Sequence, residues 1–375
     1  MARVKATFLK VLLLCVSAAL ASAIDPALVR DEWPEVDFQK AVVDLRSIQA
    51  GGPPRDGILA VTDPKFESIA AAGQWIGPQE PVILVELSGE ARIYPIQILI
   101  FHEVVNDVLA SRPILVTFCP LCYSALAFLR HQSAGQVLTF GVTGLLRHSN
   151  MIMYDHQTVS WWQQATGQAI VGSLAGKKLT PLPAKIVSFR QAAARKPRAL
   201  VLSRPGRGYP YGRNPYVGYD DIRQKPFLFR GVVDKRVPPM EHLIVVTRGA
   251  KALAFPLSAL RRSQLLTADL NQEPVVAFYN PDPRTALETP NVAAGRVVGT
   301  GAVFSRRLDE VVLDFSVSDG KISDTTTGSE WNHFGEAIQG PLSGKQLVEL
   351  PSSEIFAFAW LAFRPDTKLV ISPDN

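Results

Sequence analysis

Cysteine is scarce in this chain, which has three cysteines in 375 residues. Cys15 lies in an apolar run near the N-terminus, so Cys119 and Cys122 are the only cysteines in the rest of the sequence. Two cysteines make one disulfide at most, which excludes the disulfide framework of a small secreted domain. A chain of this length can bury a core without such bridges. The pair therefore indicates a local functional site and not a structural framework.

Long apolar runs are also missing. The run from Val11 to Leu20 is about half of the ~20 residues that a membrane span needs, and no later stretch is long and apolar enough to span. Three basic residues precede it, and Ala21-Ser22-Ala23 has the small-x-small pattern of a cleavage site. This arrangement predicts a secretory signal peptide over residues 1–23. We therefore expect an exported protein, periplasmic or extracellular, with no membrane span.

Charged residues are few, at 19% of the chain, and neither sign dominates. The chain has 39 basic and 34 acidic residues, and loss of the three basic residues in 1–23 leaves a net charge near +2. That balance gives no support for a nucleic-acid partner. A protein or a small molecule is the partner class that stays open.

The chain contains an internal repeat. "TVSWWQQATGQAIVGSLAGKKL", from Thr158 to Leu179, recurs as "TGSEWNHFGEAIQGPLSGKQL", from Thr327 to Leu347, with a one-residue gap. This and shorter matches predict two related lobes in tandem. The predicted parts are a signal peptide (1–23), an N-terminal segment (24–55), a first lobe (56–202), a linker (203–224) and a second, degenerate lobe (225–375).

Short runs rich in Val, Ile, Leu and Phe, separated by Gly and Pro, predict a mainly β fold, a β-rich α+β architecture with few helices. One helix is expected in the first lobe, at about Ile96 to Leu109, from apolar residues at helical spacing. On that helix His102 and Asn106 would share a face, as would Glu103 and Asp107.

"TFCPLCYSALAF", from Thr117 to Phe128, holds the two cysteines three positions apart. A Pro-containing turn at this spacing points both sulfurs to one side, as in the knuckles of metal sites. In the second lobe Asn280 stands opposite Cys119, and Ser263 opposite His102. The fold therefore does not require the Cys and His residues, and we expect the chemistry to belong to the first lobe.

A transition-metal site is the first interpretation, with Cys119, Cys122 and His102 as ligands. Soft thiolates with an imidazole suit copper first and zinc second. Glu103, Asn106 and Asp107 are then residues that orient the ligands or handle protons. Possible suppliers of a fourth ligand lie in "RHSNMIMYDHQT": His148, Met151, Met153 and His156.

Three other interpretations stay open at this point. Cys-Pro-x-Cys is also the motif of thiol–disulfide oxidoreductases, which gives the enzyme alternative. A passive disulfide in a partner-binding module is the second. A cysteine nucleophile with His102 as its base is the third.

Several long motifs resemble one known family. They are "GEARIYPIQIL", "HEVVND", "VTFCPLCYSALAF", "FGVTGLLRHSNMIMYD" and "TGQAIVGSLAGKKL". They are similar to the prokaryotic family catalogued as domain of unknown function 3179, from about Gly57 to the C-terminus. The resemblance implies that the His-Glu-x-x-Asn-Asp and Cys-Pro-Leu-Cys elements belong together. Members of the family commonly have Gly after the second cysteine, where this chain has Tyr123.

Overall fold

The computed structural model describes Val29, residues 31–206 and residues 208–372. The predicted signal peptide, residues 1–23, lies outside the described residues. Within them the chain forms 29 strands and five α-helices, which confirms the β-rich fold. None of the described helices is long and apolar enough to cross a membrane.

The first half of the chain forms sixteen short strands in antiparallel sheets. They are β1 (Ile48–Ala50), β2 (Phe66–Ser68), β3 (Pro81–Leu87), β4 (Glu90–Pro95), β5 (Val104–Leu109), β6 (Arg112–Cys119), β7 (Ser124–Leu129), β8 (Gln132–Ser133), β9 (Gln136–Val137), β10 (Phe140–Arg147), β11 (Asn150–Asp155), β12 (Trp161–Gln163), β13 (Gln168–Val171), β14 (Thr180–Leu182), β15 (Ala184–Ser188) and β16 (Leu200–Leu202). One pairing is parallel, that of β16 with β4.

The second half forms thirteen strands. They are β17 (His242–Arg248), β18 (Lys251–Pro256), β19 (Leu265–Leu270), β20 (Glu273–Asn280), β21 (Thr300–Ser305), β22 (Arg307–Leu308), β23 (Val311–Val312), β24 (Phe315–Ser318), β25 (Lys321–Asp324), β26 (Glu330–Trp331), β27 (Ala337–Gln339), β28 (Ser352–Phe356) and β29 (Lys368–Leu369). The helices are α1 (Ile69–Ala72), α2 (Ile96–His102), α3 (Phe189–Arg195), α4 (Leu257–Ser263) and α5 (Ala357–Phe363).

Elements recur in the same order in the two halves. The series β3-β4-α2-β5-β6 corresponds to β17-β18-α4-β19-β20, and β15-α3-β16 corresponds to β28-α5-β29. In each half, the last strand of the shorter series pairs in parallel with the second strand of the longer series. These pairs are β16 with β4 and β29 with β18. The exact lobe boundaries stay a prediction.

A repeated turn closes the β11–β12 and β25–β26 hairpins. The Asp155 carboxylate accepts from the Trp162 indole at 2.9 Å, and Asp324 accepts from Trp331 at 3.0 Å. Each aspartate also accepts the backbone N–H three residues further on, at 2.6 Å. Both carboxylates are thus held by the turns that they stabilise, and neither is a free functional group.

Helix α2 is shorter than predicted. It ends at His102 because Glu103 turns the chain with φ at +55°, outside the helical region. The β-branched Val104 and Val105 then pair with Thr117 and Val116 of β6. The prediction of a helix as far as Leu109 was therefore wrong. Side chains alternate along a strand, so the shared helical faces expected for Asn106 and Asp107 do not exist.

The largest hydrophobic cluster is common to both halves. It joins Phe118 and Tyr123, next to the two cysteines, to Phe356 and Phe358 of the second half. The cysteine turn is therefore enclosed by residues that are more than 200 positions away in the sequence.

Candidate functional site

The cysteine turn connects two strands of one hairpin. Strand β6 ends at Cys119, Pro120–Cys122 form one turn of 3₁₀-helix, and β7 begins at Ser124, which pairs with Cys119. Proline is tolerated at the first position of such a turn because its missing N–H would have no partner there. The predicted strand-to-strand bend is confirmed.

Tyr123 closes the turn in the left-handed conformation, with φ at +50° and ψ at +40°. A side chain there costs roughly 1–2 kcal/mol that glycine does not incur. In this chain the ring is buried between Phe118, His242 and Phe356, at centroid distances of 5.6, 4.7 and 5.7 Å. Packing against the second half therefore offsets the local strain.

The two sulfur atoms converge on one backbone oxygen. The Ser149 carbonyl lies 3.3 Å from Cys122 Sγ and 3.9 Å from Cys119 Sγ. Ser149 follows His148 in the tight β10–β11 connection, where both residues have positive φ, as in a type I′ hairpin turn. Both cysteines are free thiols, and 1% of Cys119 and none of Cys122 is exposed.

The surroundings shift the pKa values of the two thiols in opposite directions. Burial opposes ionisation of Cys119, but hydrogen bonds from the Cys122 thiol and from the backbone amides of Met151, Cys122 and Leu121 outweigh it and lower the pKa of Cys119. Burial, and then the neighbouring Cys119 sulfur, raise the pKa of Cys122 well above its usual value. The arrangement therefore favours one thiolate, on Cys119, next to one thiol.

Glu103 is the acidic side chain beside this pair. Its carbonyl accepts the Phe118 N–H at 2.9 Å, which fixes it one residue from Cys119. The residue is 7% exposed, and among the described residues its carboxylate has no hydrogen bond or ion pair. Burial, with a further contribution from the Cys119 sulfur, raises the pKa of Glu103 well above its ordinary value. A strained backbone and a buried acid with a raised pKa at one residue are typical of functional sites.

His102, predicted as the third ligand, makes other contacts. Its Nδ1 lies 2.7 Å from the Leu59 carbonyl oxygen, and its Nε2 lies 2.7 Å from the Tyr211 hydroxyl. Because a carbonyl can only accept, Nδ1 carries the proton and Nε2 accepts from Tyr211. A ligand role for His102 stays a prediction, and it requires the Tyr211 contact to be given up.

Asn106 and Asp107 also have partners away from the sulfurs. The Asn106 amide accepts from Phe140 N and donates to Phe140 O, both at 2.8 Å. Asp107 accepts from the Tyr94 hydroxyl at 2.6 Å and from Val108 N at 2.7 Å. These contacts join β5 to β10 and β4, so Glu103 is the one of the three predicted neighbours that interacts electrostatically with the cysteines.

Metal ligation by three or more groups has no support in the geometry. Within the described residues, no group of three His, Cys, Asp or Glu side chains could hold a metal ion. Met151 and Met153 are buried in the core cluster. His148 packs on Phe363 and His156 stacks on Tyr154, each at a centroid distance of 5.0 Å.

Sequence reasoning overlooked Asn150, a fully buried residue next to Cys122. Its Oδ1 accepts from Gln163 Nε2 at 2.7 Å and from Ala165 N at 2.9 Å, while Nδ2 donates to Gln164 Oε1 at 2.7 Å. The available signal was a polar residue that opens an apolar strand, "NMIMY". Such a residue needs buried partners.

A segment that begins in the predicted linker and continues past its end covers the cysteine turn. We call residues 216–229 the covering segment. The Tyr219 hydroxyl donates to the Leu121 carbonyl at 3.0 Å and accepts from Phe227 N at 3.1 Å. The Ser149 hydroxyl donates to the Phe227 carbonyl. Tyr211, Tyr216 and Tyr219 of the linker pack against the largest hydrophobic cluster.

One family model matches this chain, over residues 55–367, and its description is Protein of unknown function (DUF3179). The chain belongs to this family. The match confirms the resemblance and includes both cysteines, His102 and Glu103. No curated protein matches the chain. No solved structure matches it either. The description of the DUF3179 family names no activity.

Proposed function

We propose that Cys119 and Cys122 form a redox-active dithiol that exchanges with a disulfide substrate. The observation that carries the proposal is that two unlinked thiols converge on a single acceptor, Ser149 O, at 3.3 and 3.9 Å. Thiols three residues apart in one turn are close enough to close a disulfide with small local movement. This is the enzyme alternative that the sequence left open.

Cys119 is the attacking residue in this proposal. The Cys122 side chain and the backbone amides of Met151, Cys122 and Leu121 lower the pKa of Cys119, which favours its thiolate. The thiolate, not the thiol, is the nucleophile in disulfide exchange. Cys122 keeps its proton until the second step.

The exchange proceeds in two balanced steps. The Cys119 thiolate attacks one sulfur of a substrate disulfide, a Cys119–substrate disulfide forms, and the other substrate sulfur leaves as a thiolate. Cys122 then loses its proton and attacks the Cys119 sulfur, which closes the Cys119–Cys122 disulfide and releases the second substrate thiolate. The dithiol loses two electrons and the substrate gains two. Glu103, which interacts electrostatically with both sulfurs, is the group that we assign to accept the Cys122 proton.

Copper(I) binding is the second candidate function. Two sulfurs converge without a third ligand group among the described residues, and soft thiolates select Cu(I), which accepts two ligands in line. Zinc sites need four ligands, or three with an open position, so zinc fits this donor set less well. Cys119 and Cys122 would hold the ion, and the backbone amides at Cys119 would stabilise its charged sulfur.

A redox titration tests the dithiol. Anaerobically purified protein is equilibrated with mixtures of reduced and oxidised dithiothreitol, quenched in acid, alkylated and weighed by mass spectrometry. We expect one two-electron transition, from protein with both thiols alkylated to protein with neither thiol alkylated. Cys122→Ser should trap a mixed disulfide with glutathione on Cys119, and Cys119→Ser, its matched control, should trap none. A pair that stays entirely reduced, or entirely closed, at every potential contradicts the proposal.

Elemental analysis of the same preparations tests the copper candidate. One Cu(I) per chain, lost in both Cys→Ser variants and retained in His102→Ala, would favour a two-sulfur site. Loss of copper in folded His102→Ala would instead favour the His102 ligand predicted from the sequence. Protein that takes up no Cu(I) under anaerobic conditions would remove the copper candidate.

A further inference from the structure

The dithiol is closed off from solvent in the folded protein. One percent of Cys119 and none of Cys122 is exposed, although both lie on a hairpin turn, where exposure is usual. The attacking thiolate, the substrate sulfur under attack and the leaving sulfur must line up. A route to Cys119 therefore has to open before exchange can begin.

The covering segment is fixed to both sides of the turn. Tyr219 contacts the Leu121 carbonyl inside the Cys-Pro-Leu-Cys turn, and the Phe227 carbonyl accepts from the Ser149 hydroxyl. The Ser149 carbonyl in turn lies 3.3 Å from Cys122 Sγ. On the opposite side Gly218 N donates to Glu288 O at 2.7 Å, and Tyr219 N donates to Leu287 O at 3.2 Å. Residues 218–219 are thus anchored in the second half while the Tyr219 side chain reaches the first.

We propose that the covering segment restricts the dithiol to small disulfide substrates, and that Tyr219 is the residue that sets this size limit. The inference rests on the proposed redox function. A small, uncharged disulfide needs a local opening of a few residues, whereas a protein disulfide needs the whole segment to leave the turn. Local openings are far more populated than large ones.

Tyr219 has this role because its one hydroxyl makes two of the contacts. It donates to Leu121 O and accepts from Phe227 N, so its removal leaves a carbonyl and an amide of the closed state without these partners. Tyr219→Phe keeps the ring over the turn and removes both bonds. We expect about a tenfold gain in the open population from this loss.

The test compares rates of dithiol oxidation by a small neutral disulfide, 4,4′-dithiodipyridine, and by a protein disulfide, that of insulin. In the wild-type chain we expect oxidation by the small probe to be at least a hundredfold faster than by insulin, after correction of each rate for the intrinsic reactivity of the probe with a free small thiol. Tyr219→Phe should raise the insulin rate about tenfold and the small-probe rate much less. Tyr279→Phe, which removes a hydroxyl that donates to Val298 O at 3.0 Å in the second half, is the matched control and should change neither rate.

Two outcomes would overturn the size limit: equal rates with both probes after correction for their intrinsic reactivities, or a Tyr219→Phe variant with unchanged selectivity. Alkylation by N-ethylmaleimide and by a maleimide on a 5-kDa polyethylene glycol measures access without any redox step. The protein could react faster with the small maleimide than with the large one, lose this preference in Tyr219→Phe, and yet form no disulfide. That result would support the exclusion of large reagents by Tyr219 and would overturn the redox function alone.

Discussion

Asn150→Ala should lower the free energy of unfolding by about 3–5 kcal/mol. The fully buried Asn150 side chain satisfies Gln163, Gln164 and the Ala165 amide at once. Its removal leaves the buried Ala165 amide without its partner, which costs roughly 1–3 kcal/mol. Gln163 and Gln164 each lose one bond worth about 1 kcal/mol, although Gln163 keeps Met151 O and Gln164 keeps Ser124 Oγ as partners. Urea unfolding of both proteins, monitored by tryptophan fluorescence, measures the difference.

The same variant should slow the second step of disulfide exchange. The Asn150 amide interacts with the Cys122 sulfur and favours its ionised form. Resolution of a Cys119 mixed disulfide at fixed pH should therefore be slower. Asn106→Ala is the matched control. Asn106 is also buried, and its substitution removes two hydrogen bonds to Phe140, but Asn106 is not next to Cys122. An equal slowing in both variants would contradict a specific role for Asn150.

Glu80→Gln should remove a pH dependence of stability between pH 4.5 and about 7. Glu80 is 1% exposed, and its carboxylate accepts from Gln97 Nε2 and, at 3.1 Å, from Gly77 N. Burial outweighs these bonds and raises the pKa of Glu80 from 4.5 to about 7. The folded state therefore keeps a proton that the unfolded state loses near pH 4.5.

The number of protons bound in each state determines whether stability rises or falls with pH. Between pH 4.5 and 7 the unfolded chain binds fewer protons at this site, so stability falls as the pH rises. The contribution is fully present below pH 4.5, and about 3 kcal/mol of it is lost by pH 7, at 1.36 kcal/mol per pKa unit. Urea unfolding at four pH values should give a wild-type-minus-variant difference that changes by about this amount. The exposed Glu90→Gln serves as control, and a constant difference for Glu80→Gln would refute the assignment.

The strands were predictable because their apolar runs are long and their turns are marked. "PVILVEL" forms β3, "HLIVVT" begins β17, and the Pro in Cys-Pro-Leu-Cys marked the bend at β6–β7. The end of α2 was not predictable, because the residue with positive φ that ends the helix is Glu103, a residue type that rarely adopts positive φ. Apolar residues from Val104 to Leu109 fit both helical and strand spacing, and only pairing with β6 decides between them.

The candidate site was predictable in part. The two cysteines lie side by side because their spacing is local, and Glu103 was among the residues expected near them. The direction of the His102 ring was not predictable, since it is set by Leu59 and Tyr211, 43 and 109 residues away in the sequence. Nothing in the composition of the linker indicated that Tyr219 would contact the Cys-Pro-Leu-Cys turn.

Tyr123 makes the two halves of the chain depend on each other. Its ring sits against His242 and Phe356, so the half without cysteines supplies the wall behind the cysteine turn. Were the first half produced alone, this ring would meet water while its backbone stayed in a conformation that glycine adopts more readily. The second half, which has no cysteine, therefore supports the backbone conformation of the cysteine turn in the first half.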